Sequence, residues 1–204
     1  MDAGSVRDLA RRHPEYLKDA AALLVAARAG RCDVVELLID LGVSVNVESS
    51  NGERALHLAV WSDSVPVARL LIDRGAEVDA RDRKFGATPL GWAIHLSKPK
   101  LADFLSSVST DIFSLASAGK LERLRTVLDA EPALAKSVRN DRTALFFQHA
   151  NDEDLAIEIA RLLLNHGADA SFVTHEGMTA SSQAERNGMD ALAQLLNDAC
   201  EQVG

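Results

Sequence analysis

The sequence predicts an all-α solenoid of stacked helix-turn-helix units joined by short β-hairpin-like fingers. Three observations predict it: the 204-residue chain repeats itself at a period near 33, each copy carries a helix with a single apolar stripe, and glycines recur in fixed slots.

Equivalent positions at Ala21, Arg54, Thr88, Thr110, Thr143 and Thr179 are separated by 33, 34, 22, 33 and 36 residues. The short interval follows Phe104-Leu105 and removes one finger, so Ser106-Ser107-Val108-Ser109 is expected to turn directly into the next helix. The long interval places three extra residues within 151–158, between paired helices. The organisation expected is one repeat domain over 1–204. Residues 1–18 form a leading partial copy, followed by copies at 19–48, 49–81, 82–108 without its finger, 109–137 and 138–173 with the insertion. Residues 174–204 form a closing cap, giving five to six repeats with atypical ends.

The second helix of each copy carries its stripe at i, i+3 and i+4: Val34/Leu37/Leu38, Val67/Leu70/Leu71, Leu101/Phe104/Leu105, Leu124/Val127/Leu128, Ala160/Leu163/Leu164 and Leu192/Leu195/Leu196. A lone helix pair cannot bury such a stripe, whereas stacked neighbours make one continuous core. Helix ends and tight turns need a residue that enters the left-handed region, which assigns Gly30, Gly119 and Gly188 to the ends of first helices. Gly42, Gly75 and Gly167 then end second helices, and Gly52, Gly86 and Gly177 sit in finger turns, with Asp141 taking the turn slot of the fifth copy. Pro89 suits a first helical turn. Pro14 and Pro132 instead stop the helices before them, so residues 5–12 form a capping helix through Val6, Leu9 and Ala10. At the other end, Ser181-Ser182-Gln183 turns a polar face to water.

These units, with Arg54-Ala55-Leu56-His57-Leu58-Ala59 and Thr88-Pro89-Leu90 opening copies and Leu70-Leu71-Ile72, Gly75-Ala76 and Val78-Asp79 closing one, resemble the ankyrin repeat over nearly the whole chain. The Pro14 and Pro132 loops are similar to those of many bacterial ankyrin proteins. The resemblance implies a protein-binding scaffold, and it implies that His57 ties adjacent repeats by hydrogen bonds. That slot is Gly91 in the third copy and Phe146 in the fifth. Trp92 occupies a mostly buried family slot.

Composition narrows the function. With 22 Lys and Arg against 30 Asp and Glu, the net charge is -8, which opposes binding to phosphate backbones or anionic lipid. The longest apolar run, residues 20–27, is too short for a membrane span, and no secretory signal precedes it. Cys32 and Cys200 suggest neither disulfide nor zinc and suit a reducing cytoplasm. Carboxylates at Asp152, Glu153 and Asp154 are read as a loop capping the helix that starts near Leu155, not as a cation site. No phosphate-binding, nucleophile-elbow or metalloprotease motif occurs, so no cofactor, metal or catalytic residue is expected.

The resemblance also implies that the ends of the first helices line a concave groove, whose floor reads Arg28, Trp61, His95, Ser117, Ala150 or Asn151, and Arg186. Trp61 and His95 are expected to be neighbours there; the alternative is that Trp61 packs on a finger. Finger residues extend the partner-binding surface through Lys84, Phe85, Arg139 and Arg142, with Asn51, Glu53, Asn140, His175, Glu176 and Met178 beside them. The missing finger leaves a notch bordered by Trp61, Phe85, His95 and Lys98, where Phe85 is a candidate anchor. Three uses stay open: a noncatalytic scaffold for a protein partner, a small-molecule or enzymatic site with His95 as acid or base and Lys98 as anion anchor, and self-association through Phe85. Loss of the finger also allows the array to divide into residues 1–106 and 109–204.

Overall fold

The computed structural model describes residues 4, 5, 8, 12, 20–147 and 152–201. Val6, Leu9, Ala10 and Pro14 of the expected leading cap, and the slot at residues 150 and 151, lie outside them. The chain divides into two compact units, Met1–Ser109 and Thr110–Gly204.

In the first unit three helix pairs stack in order: α1 (Ala20–Arg28) with α2 (Cys32–Asp40), α3 (Ala55–Ala59) with α4 (Val65–Asp73), and α5 (Pro89–His95) with α6 (Pro99–Val108). First helices pack on first helices and second on second. The stripes read from sequence face this core, with Val34, Leu38, Val67, Leu71, Leu101 and Leu105 all buried. Each such side chain contributes about 1.5–3 kcal/mol relative to an exposed position. Polar bonds tie one copy to the next at the same offsets. Asn46 donates through Nδ2 to the Gly75 carbonyl (2.9 Å) and accepts from the Glu77 amide (3.0 Å). One copy later Asp79 accepts from the Ser109 hydroxyl (2.6 Å). On the helical side Arg74 reaches Glu36 (3.0 Å) and Asp40 (2.6 Å).

The helix-ending slot held by Gly30 is occupied in the next two copies by Asp63 and Ser97, at φ 50° and 53°. Sequence patterning did not reveal this, because neither residue is a glycine. Left-handed backbone costs an L residue about 1–2 kcal/mol, partly offset by the greater chain entropy that glycine loses on folding. Ser97→Gly is therefore expected to stabilise the protein by about 1 kcal/mol, raising Tm by a few degrees, about 2–4 °C. An unchanged or lower Tm counts against strain at this turn.

The second unit contains α7 (Ile112–Ser117), α8 (Leu121–Ala130), a 3₁₀ turn at Pro132–Lys136 and a hairpin of β1 (Val138–Arg139) and β2 (Arg142–Thr143). A 3₁₀ turn at Ala144–Phe146, then α9 (Glu153–Asn165), α10 (Ala180–Arg186) and α11 (Asp190–Glu201) complete it. Three details differ from the sequence reading. Residues 106–108 are still helical, so the finger-less turn is only Ser109-Thr110-Asp111, and Asp111 caps α7 by accepting from the Ser114 amide at 3.0 Å. Among the described residues the first helix of the fifth copy shows a 3₁₀ turn, and Thr143 makes no side-chain cap bond there, unlike Thr88 and Thr179 in their copies. The extra length of that copy enters the 13-residue α9. Asp152 caps α9 through the Leu155 amide (3.1 Å), and Glu153 accepts from the Ala191 and Leu192 amides at the start of α11 (2.9 and 3.2 Å). Ser181, Ser182 and Gln183 are half-buried, and Ser182 closes a capping box with Thr179 instead of facing water.

Candidate functional site

In the first unit the site grows from the finger at residues 82–87. Its tip is too short for a strand pair, so the backbone amides need another acceptor, and Asp82 supplies it. This carboxylate, 2% exposed, accepts from the amides of Lys84 (2.9 Å), Phe85 (2.7 Å) and Ala87 (3.1 Å) and from Nε1 of Trp92 (3.0 Å). Burial alone raises its pKa, but the bonds from Phe85, Trp92, Ala87 and Lys84 outweigh that and hold it below the ordinary 3.8. Asp82 thereby fixes the finger that presents Phe85 and orients the Trp92 indole. The preceding finger stacks on it: the Asn51 carbonyl accepts from the Arg83 amide at 2.7 Å, and Gly52, at φ 75°, leaves no room for a Cβ against Arg83.

His57 is fully buried beneath Trp92, the two rings edge to face at 5.5 Å. Its Nδ1 accepts from the Arg54 amide (3.2 Å), so the proton sits on Nε2, which donates to the Ala87 carbonyl (3.1 Å). Burial lowers its pKa below 6.5, in keeping with a neutral ring that ties two copies together.

Above this base lies Trp61, 44% exposed, its ring centre 6.3 Å from that of Trp92 in an edge-to-face contact and the Arg28 guanidinium 4.8 Å from its ring centre. Phe85 is 62% exposed, with the Lys84 ammonium 4.8 Å from its ring centre. Of the residues expected along the groove floor, Arg28 and Trp61 are thus joined, whereas the expected neighbours Trp61 and His95 share no such contact among the described residues. The aromatic partner of Trp61 is Trp92, which is half-buried and links Trp61 to the finger through Asp82. His95 is exposed at the end of α5 and Lys98 half-buried beyond it. No hydrogen bond or ring contact joins either side chain to Trp61 or Phe85 among the described residues.

The remaining candidates belong to the second unit and do not form a matching surface. Arg139 is not a finger-tip contact: its side chain is 8% exposed, ion-paired with Asp111 and stacked 4.0 Å from the ring centre of Phe113. Burial of Phe113 and the cap at Asp111 draw it inward. Arg142 is half-buried, paired with Arg139 through the β1–β2 register. Arg186 is exposed, its guanidinium 3.2 Å from Met178 Sδ. The hairpin tip, Asn140 and Asp141 at φ 48° and 60°, bonds to the next finger, where Asp141 accepts from the His175 amide (2.6 Å) and meets its Nδ1 (2.8 Å). Asp82 is missed from sequence, and Trp92, read as a mostly buried slot, is half-buried and donates to it. Only the contact between positions ten apart reveals them.

No group of three or more His, Cys, Asp or Glu fit to hold a metal occurs among the described residues, and no described helix is long and apolar enough to cross a membrane.

Comparison with known proteins places this arrangement. A family model described as ankyrin repeats (3 copies) matches residues 4–82 and 23–114. Ankyrin repeat and SOCS box protein 6 of Homo sapiens is 29% identical over 192 residues, 89% of this chain and 41% of that protein. A putative ankyrin repeat-containing protein of Treponema pallidum is 40% identical over 81 residues, 40% of this chain and 27% of that protein. The NF-kappa-B inhibitor cactus of Drosophila melanogaster is 37% identical over 65 residues, 32% of this chain and 13% of that protein. The chain thus spans less than half the length of these curated relatives. An ankyrin repeat domain from Acinetobacter baumannii AYE, solved by crystallography, has the same fold at a TM-score of 0.59 and 22% identity, covering 89% of this chain and 98% of that one.

Proposed function

The chain belongs to the ankyrin-repeat family, and from that premise we propose that it is a noncatalytic scaffold that binds a protein partner through the ends of its first helices and its finger tips. One observation carries the reading: Trp61 and Phe85 are held exposed by a base of half-buried Trp92 and buried Asp82 and His57. Large aromatic side chains on a rigid support are the commonest interface anchors, because they contribute contact area at little cost in conformational entropy. The buried Asp82 and His57, with half-buried Trp92 between them, fix the positions of Trp61 and Phe85 before a partner arrives. Membership of a family of interaction modules agrees with this use, and the two cysteines without a partner suit a reducing cytoplasm.

Affinity capture from the native lysate with wild type and with the Trp61→Ala/Phe85→Ala variant tests the reading. Both side chains are exposed, so the variant is expected to melt near the wild-type temperature. Partners captured by wild type are expected to fall at least about tenfold, since an anchor contributes about 2 kcal/mol or more. Identical partner sets at equal recovery would remove this surface from consideration.

A further inference from the structure

We infer that the Trp61–Phe85 surface of the first unit takes an acidic segment of its protein partner, with carboxylates flanking an apolar or aromatic anchor. The inference rests on the protein-binding reading above and adds the partner's chemistry.

The first observation is how cations are used within this unit. Arg31, Arg54, Arg74 and Arg83 are each ion-paired with a carboxylate of the same unit. Among the cations without such an ion pair in the described residues, Arg69 lies over the half-buried Phe104 ring at 4.7 Å, whereas Arg28 and Lys84 accompany the exposed aromatics. Arg28 lies on Trp61 and Lys84 on Phe85, both at 4.8 Å. A cation resting on a ring face keeps N–H donors free toward solvent, placed for an incoming carboxylate while the ring takes an apolar side chain.

The second observation is that these two cation-covered rings rest on one support. Trp61 contacts Trp92, Trp92 donates to Asp82 (3.0 Å), and Asp82 accepts from the Phe85 amide (2.7 Å). The Asp82 carboxylate is buried and accepts from four N–H donors, whose dipoles offset part of its charge.

The third is the distribution of charge. Met1–Ser109 holds 14 Lys and Arg against 15 Asp and Glu, whereas Thr110–Gly204 holds 8 against 15. The overall -8 therefore resides mainly in the second unit, and the unit that carries these rings is itself nearly neutral. Two unpaired cations beside two rings match a short acidic segment; a nucleic acid demands a longer basic track.

Selection of random peptides displayed on phage against the full chain tests the inference. Synthesised winners are then titrated by tryptophan fluorescence, since both tryptophans of the chain, Trp61 and Trp92, belong to the site. Winners are expected to concentrate Asp and Glu around Leu, Phe or Trp. Their Kd is expected to rise about tenfold or more in Arg28→Glu/Lys84→Glu, less in Arg28→Gln/Lys84→Gln, and several-fold when salt is raised from about 50 to about 500 mM. Neutral or basic winners whose binding is lost in Trp61→Ala/Phe85→Ala would overturn the acidic partner and leave the protein-binding reading standing. Winners indifferent to that variant would overturn both. Tighter binding of a mixed-sequence single-stranded DNA than of any acidic peptide would overturn the inference. So would a concentration-dependent dimer abolished by Arg28→Glu/Lys84→Glu, which would mean that a second copy takes the surface.

Discussion

Replacing Arg139 with methionine is expected to destabilise the second unit by about 3–5 kcal/mol, because it leaves the Asp111 carboxylate buried without its ion partner. The guanidinium also lies 4.0 Å from the Phe113 ring centre, and Phe113 meets Phe147 edge to face at 5.2 Å, so the substitution loosens an aromatic contact as well. Much of the loss comes from the orphaned charge, and removing that charge should restore part of it. Asp111→Asn keeps an oxygen for the Ser114 amide and remains a good helix cap. The Asp111→Asn/Arg139→Met double variant is therefore expected to lose less than the two single variants together, with a coupling of at least about 1 kcal/mol. Urea unfolding followed by far-UV circular dichroism measures it, and additive losses would show that the pair acts as two independent packing groups.

The second large effect is at Asp82. Asp82→Ala removes the acceptor of three finger amides and of Trp92 Nε1 at once, an expected loss of about 2–4 kcal/mol after water reaches the freed finger tip. Asp82→Asn keeps one acceptor oxygen and should lose about half as much. Tryptophan fluorescence follows the urea transition, because Trp92 rests on Asp82 itself. The folded pKa of Asp82 lies below its unfolded value. Its contribution is therefore fully present above about 3.8 and disappears as pH falls through the folded value. His57 also has a lowered folded pKa, but as a base: the unfolded ring binds the proton first, so stability is fully present above 6.5 and declines as pH falls below it. Acid titration of stability should show both limbs, with Asp82→Asn removing only the lower. Loss of neither limb in that variant would mean that the Asp82 carboxylate does not control the finger.

How much of this was legible depended on the range of the determining contact. The nine glycines assigned to helix ends and finger turns all adopt positive φ, because the requirement is local and glycine meets it best. His57 and the cap at Asp152 could also be read, since a short motif or one helical turn specifies each. Arg139 could not. In sequence it stands in a polar finger, and only the fold brings it beneath Asp111, 28 positions earlier, and Phe113. Asp82 escaped for the same reason: its neighbours suggest a solvated turn acid, but Trp92 reaches back from α5 to meet it. Asp63 and Ser97 show the converse limit, since stacking can hold a residue in a backbone region that its own chemistry disfavours.

The bonds from Asn46 to Gly75 and Glu77, from Asp79 to Ser109 and from His57 to Ala87 all join positions 29 to 31 apart. In the first unit each copy thus offers donors and acceptors to its successor at about one repeat's spacing, although the side chain in a given slot differs, as with His57 and Gly91. Excising residues 82–108 would take away the Ala87 carbonyl that receives the His57 proton and displace the Ser109 hydroxyl on which Asp79 depends, so damage to one copy is passed on to the copy before it.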